Sequence, residues 1–190
     1  MGNIYVTSDW HFCHSKPFLY EPRGFENIDQ MNAAIVRQHN EIVKPEDDVW
    51  VLGDLVLSNT EEGLEYIKML NGHLHIIAGN HCTDRRIELY KQLPNATYEG
   101  LAARLKYNKY HFYLSHYPTL VSNFDEEEPL KNQTICLCGH SHCKHWYEDL
   151  NKGLIVHVEM DTNNCYPWLL DDIIENLKEY KNLINYNPSI

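Results

Sequence analysis

No run in the sequence approaches the roughly 18 to 20 uninterrupted apolar residues that a membrane helix needs. The first residues pass straight into Ile4-Tyr5-Val6, with no basic region and no small-residue cleavage site. Both absences lead to the expectation of a soluble, unexported chain resident in the cytoplasm. N-myristoylation after Met1-Gly2 needs Ser or Thr at the sixth position, and Val6 stands there, so a lipid anchor is excluded. Positive charge is scarce: 16 Lys and Arg face 27 Asp and Glu, a net of −11 with His neutral. Duplex nucleic acid is bound largely through Lys and Arg that displace counterions. This balance argues against a duplex partner, and a phosphate ligand would have to meet positive charge from another source. Internal repeats and low-complexity tracts are also missing, and the short acidic run Asp125-Glu126-Glu127-Glu128-Pro129 reads as a solvated loop.

What the chain does have is histidine, 12 in 190 residues, together with six cysteines at 13, 82, 136, 138, 143 and 165. Without an export signal these thiols are expected to be reduced or metal-bound rather than paired as disulfides. The length and a 43% apolar content suit one domain over residues 1–190.

Five short β-rich runs share a pattern. Ile4 to Ser8 ends in Asp9-Trp10-His11, and Asp48 to Leu52 ends in Gly53-Asp54. Leu74 to Ala78 ends in Gly79-Asn80-His81, Tyr110 to Leu114 in Ser115-His116, and Thr134 to Cys138 in Gly139-His140-Ser141-His142. In open α/β sheets ligands gather outside the carboxyl ends of the strands, so five such ends converging would build one site. Helical spacing of apolar residues over Asp29–Val43, Thr60–Leu70, Thr83–Leu93 and Leu169–Leu183, with Thr60 as an expected N-cap, and a late strand at Leu154–Val158 predict a layered α/β domain.

The strand ends supply Asp9, His11, Asp54, Asn80, His81, His116, His140 and His142. Carboxylate, imidazole and amide oxygen together suit divalent Mn, Fe, Zn or Ni, whereas Ca or Mg would favour an all-oxygen set. The set is too rich for one ion. It fits two metals about 3.5–4 Å apart, the arrangement that clamps attacking and leaving oxygens in phosphoryl chemistry.

These five ordered blocks resemble the motifs of the calcineurin-like metallophosphoesterases. The resemblance spans residues 9 to 142 and implies an α/β/β/α sandwich in which two central mixed β-sheets are flanked by helices. It implies that Asp9, His11 and His142 hold one metal, that Asn80, His116 and His140 hold the other, and that Asp54 bridges them, with Mn²⁺ the first choice of ion. A hydroxide shared by the ions would be the nucleophile, and His81 would protonate the leaving-group oxygen. Cys82 stands where the family commonly has Asp or Glu beside that His, with Asp84 two residues further on. The stretch from Asp9 to Phe25 is similar to small bacterial and phage-type members, which assigns His14 and Arg23 to the substrate phosphate.

The expected activity is hydrolysis of a small, nucleotide-type phosphodiester. Phosphomonoester or nucleotide pyrophosphate cleavage, and a metal-binding interaction module with little turnover, are the alternatives. His73, His75, His111 and His157 are expected to be structural, His39 to lie on a helix face, and His145 and Trp146 either line the site or pack. A structural zinc knuckle built on Cys136, Cys138 and Cys143 is disfavoured, because strand alternation turns Cys136 and Cys138 to one face, away from the loop.

Overall fold

A computed structural model of the chain describes residues 2–120, 130–149 and 154–186. The acidic run at 125–129 lies outside the described residues. The elements in chain order are β1 (Ile4–Thr7), α1 (Pro17–Tyr20), α2 (Ile28–Ile42), β2 (Asp48–Leu52), α3 (Thr60–Lys68), β3 (His73–Ile77), α4 (Asp84–Tyr90) and β4 (Ala96–Gly100). There follow β5 (Ala102–Tyr107), β6 (Tyr110–Ser115), β7 (Thr134–Cys138), β8 (Tyr147–Asp149), β9 (Leu154–His157), β10 (Trp168–Leu169) and α5 (Leu170–Tyr186).

Two five-stranded mixed sheets result, in the orders β10-β1-β2-β3-β4 and β5-β6-β7-β9-β8. In the first, β1 to β4 run parallel and β10 pairs antiparallel with β1. In the second, β6, β7 and β9 are parallel, while β5 and β8 close the edges antiparallel. This is the expected architecture of two mixed sheets with helices.

Alternation of side chains across each strand divides the core. On β2, Val49 and Val51 face Met31, Ile35, Leu64 and Ile67 of the helices α2 and α3. Leu52, one residue on, joins Val6, Ile77, Phe112, Leu114, Ile135, Leu137 and Val156 in the layer where the two sheets meet. The helix α5 adds Leu170, Ile173, Ile174 and Leu177 to that shared layer, at helical spacing. Cys136 and Cys138 lie together on the other face of β7 with Ile155 and Tyr113, as the alternation predicts. They are free thiols, and all six cysteines are unpaired.

Two local expectations are corrected. The N-cap of α3 is Asn59, whose side chain accepts from the Glu62 N–H, so Thr60 is the first helical residue. His39 is not a face residue: it is buried against Trp10 with its ring edge-on, and its Nε2 donates to the Asn71 carbonyl at 2.9 Å.

Candidate metal centre

β1, β2, β3, β6 and β7 each lead at their carboxyl ends into one of the expected ligands, and these five ends come together. Five of the residues involved take backbone conformations that L-residues seldom adopt: φ is 58° at Asp9, 49° at His11, 53° at Asp54, 76° at His140 and 49° at His142. Such left-handed turns each cost of order 1–3 kcal/mol and persist only where the surroundings enforce them. Two glycines show how tightly the turns fit. A Cβ on Gly79 would strike Asp54 Oδ1, and one on Gly139 would strike Asp9 Oδ2 and the Ser8 hydroxyl.

Each carboxylate has one oxygen engaged and one free. Asp9 Oδ2 accepts from the Ser8 hydroxyl at 2.6 Å and from the His140 N–H at 2.9 Å, while Oδ1 is buried with no hydrogen-bond partner. Asp54 Oδ1 accepts from the His81 N–H at 2.9 Å, and Oδ2 faces His116 Nε2 at 3.4 Å and His11 Nε2 at 3.9 Å. Asp54 therefore stands between two groups of polar side chains.

The first group is Asp9 Oδ1, His11 Nε2 and His142 Nε2, with separations of 3.5, 3.6 and 3.1 Å. Donors about 2.1 Å from a common ion lie roughly 3.0 to 3.4 Å apart for right-angled to tetrahedral positions, so these side chains fit a metal with little adjustment. The second is Asn80 Oδ1, 2.7 Å from His116 Nε2 and 2.9 Å from His140 Nδ1. Outer contacts fix the rings: His116 Nδ1 donates to the Leu52 carbonyl at 2.8 Å and His142 Nδ1 faces Asp161 Oδ2 at 2.9 Å, leaving both Nε2 atoms to the site. All seven residues expected to ligate metal are thus brought together.

The electrostatics follow from this packing. Burial disfavours the charge on Asp9, but the close His11 ring, backed by His142 and His116, outweighs it and holds the carboxyl at about 2. Asp54 is likewise lowered, burial being overcome chiefly by His116. Burial lowers His11 more than Asp9 raises it. At His116 and His142 burial also acts downward, yet the carboxylates beside them, Asp54 for one and Asp161 for the other, leave both raised.

His81 stands at the mouth of the site, its side chain 42% exposed and its Nε2 4.0 Å from Asp54 Oδ2. No hydrogen bond joins it to Asp84. Cys82 serves the turn instead: its Sγ accepts from the Gly79 N–H at 3.3 Å. His14 is half-buried beside His11, with ring centroids 5.9 Å apart, and burial pushes it down to about 4.

Arg23 is corrected. Its side chain is 1% exposed, its Nε and Nη2 form a fork on Asp161 at 3.0 and 2.7 Å, and it donates to the Asp9 carbonyl at 2.9 Å. A guanidinium so enclosed holds the protein together beneath His142, and the substrate contact expected of it is withdrawn. Asp161 itself was not foreseen. Burial raises its pKa, but His142 and Arg23 more than reverse this and lower it strongly. Nothing local marks Asp161, because its partners lie 19 and 138 positions away.

Among the described residues no helix is long and apolar enough to cross a membrane. The family model for the calcineurin-like phosphoesterase superfamily domain matches residues 3–159. The chain is 31% identical over 186 residues to an uncharacterized protein of Methanocaldococcus jannaschii, covering 95% of this chain and 94% of that protein. It is 29% identical over 182 residues to the Gene 66 protein of Mycobacterium phage D29, covering 85% and 89%. In structure it is similar to a protein of unknown function from Aquifex aeolicus, with a TM-score of 0.64 and 23% identity, over 93% of this chain and all of that one.

Proposed function

The chain belongs to the calcineurin-like phosphoesterase superfamily, and from that premise we propose that it is a phosphodiesterase for small nucleotide-type substrates, working through two divalent metal ions. One observation carries the reading. Two buried carboxylates each keep one oxygen free, and the free oxygens face imidazole nitrogens at the spacing that shared metal ligands adopt. Asp9, His11 and His142 would hold one ion, Asn80, His116 and His140 the other, and Asp54 both. Bound there, Mn²⁺ or a similar ion supplies Lewis acidity for the phosphoryl oxygens and brings the pKa of water towards 7.

The protein's own groups do the rest. Asp9 stays ionised across the physiological range, which keeps its free oxygen competent as a ligand. His81, unhindered at the rim, is placed to give a proton to the leaving oxygen. His14, neutral near pH 7 because burial lowers it, can donate a hydrogen bond to the phosphate without adding charge. Two exposed rings flank the ligands: Phe18, 72% exposed with its ring 5.5 Å from that of His14, and Tyr117, 51% exposed and 4.7 Å from that of His140. Aromatic surfaces of this kind stack on bases for about 1–3 kcal/mol each, which favours a nucleotide-type substrate.

The test is hydrolysis of bis-nitrophenyl phosphate against nitrophenyl phosphate in Mn²⁺. The proposal expects the diester to be preferred, chelation to abolish the activity, and His81→Ala to slow substrates with poor leaving groups by about 10²-fold with metal content unchanged. Preference for the monoester would transfer the assignment to a phosphomonoesterase. Inactivity on both with the metals in place would transfer it to an interaction module.

A further inference from the structure

A second set of metal-type ligands lies behind the last histidine motif and shares no residue with the first. Cys143 and His145 follow that motif, Glu148 lies on β8, and His157 ends β9, its strand neighbour. Donor atoms of these four residues all lie within 4.8 Å of one another. His145 Nε2 is 2.9 Å from Glu148 Oε1, His157 Nε2 is 3.4 Å from that same oxygen, and Cys143 Sγ is 3.2 Å from His157 Nδ1.

His157 gives the cluster its direction. The side chain is 1% exposed, and its Nε2, turned towards Glu148, is buried without a hydrogen bond. Its Nδ1 faces Glu159 Oε1 at 3.2 Å, and Glu159 is wholly buried. A buried imidazole with Glu159 and the Cys143 thiol at Nδ1 and Glu148 at Nε2 can give one nitrogen to a metal while a carboxylate steadies the other, the outer-contact pattern of metal-ligating histidines.

We propose that Cys143, His145, Glu148 and His157 bind a structural zinc ion. One thiolate, two imidazoles and a carboxylate make four protein donors, the number that fills a tetrahedral zinc shell and leaves no position for a substrate. The thiolate also separates this site from the two-metal centre, whose ligands contain no sulfur, and it selects zinc over Mn²⁺ or Mg²⁺. Binding releases the Cys143 thiol proton to solvent. The ion would tie the segment after His142 to β8 and β9. Glu159 continues that tie, since its Oε1 also accepts from the Ser141 N–H at 3.1 Å, within the motif that presents His140 and His142.

The full chain is stripped with chelator, saturated with Co²⁺ and examined by absorption. The wild type should show a near-ultraviolet thiolate-to-cobalt charge-transfer band, and Cys82→Ser, which alters the thiol of the turn that carries Asn80, should keep it. Cys143→Ser should abolish the band while the visible cobalt absorption of the two-metal centre remains. The milder Glu148→Gln should weaken cobalt binding at this site at least tenfold. Zinc content after expression should fall by one equivalent per chain in Cys143→Ser. Absence of the band in saturated wild type, its survival in Cys143→Ser, or equal zinc in the two proteins would overturn the assignment. None of these readouts depends on phosphoester hydrolysis, so the site stands or falls separately from the proposed activity.

Discussion

Replacing Arg23 by Ala separates a substrate contact from a structural one. The guanidinium carries a forked ion pair to Asp161 and donates to the carbonyls of Asp9 and Trp10 at 2.9 and 3.4 Å. Removing it leaves the Asp161 carboxylate, among the described residues, with only His142 as partner, at a position where its side chain is 11% exposed. Breaking a buried pair by deleting one member costs about 3–5 kcal/mol. In a chain of 190 residues each kcal/mol moves the melting point by about 2–4 °C, so the expected drop is roughly 6–20 °C. The assay is thermal and urea unfolding of metal-free protein, which removes any contribution from bound ions. Arg23→Lys keeps the charge but cannot fork, and should lose less, about 1–2 kcal/mol. A surface phosphate ligand predicts the opposite pattern, with normal unfolding and a raised KM. Arg23→Ala that unfolds at the wild-type midpoint would refute the reasoning.

Three further outcomes are expected. Gly139→Ala pushes on the oxygen of Asp9 that Ser8 and His140 hold, and should weaken metal binding by about 10–100-fold as read by titration calorimetry; unchanged affinity would show that the turn can give way. His39 is buried neutral, and desolvation lowers it to about 4 against about 6.5 unfolded. The unfolded chain then binds the extra proton below pH 6.5, so stability falls as pH falls towards 4. Of the change in stability that urea midpoints record between pH 7 and pH 5, a loss of about 2 kcal/mol belongs to His39, and His39→Gln should differ from wild type by that share. Mn²⁺ at 100 times its Kd should stabilise the protein by about 2.7 kcal/mol for each ion bound only by the folded state, visible as a rise in melting point that chelator reverses.

Much of this molecule is written locally. β1, β2, β3, β6 and β7 are legible because each is an apolar run that stops at a residue with ligand chemistry, and the stop marks the carboxyl end where the site forms. β4 and β5, Ala-Thr-Tyr-Glu-Gly and Ala-Ala-Arg-Leu-Lys-Tyr, turn only partly buried side chains to the core, Ala96 and Tyr98 from one and Ala103, Leu105 and Tyr107 from the other, and stop at no ligand-type residue to mark their ends. β8, β10 and α1, at three, two and four residues, are too short for any period. The cluster of candidate ligands could be read because their chemistry is intrinsic to the residue type. Roles that depend on a partner could not: Arg23 looks like a free cation in its loop, and only the return of the chain with Asp161 enclosed it. Glu159 and His157 are silent for the same reason. Cys82 is the reverse case, since its departure from the family pattern was visible, but its bond to the Gly79 N–H needed the folded turn.

Ownership of the proposed metal ligands is split: the first sheet contributes Asp9, His11, Asp54 and Asn80, and the second His116, His140 and His142. Bound ions would therefore act as rivets across the seam between two halves that otherwise meet through an apolar layer and a few hydrogen bonds, such as that from His140 N–H to Asp9. Loading and docking become a single event at that end of the molecule. A chain whose halves had met out of register would offer each cation an incomplete set of donors, so capture of metal doubles as a check on assembly.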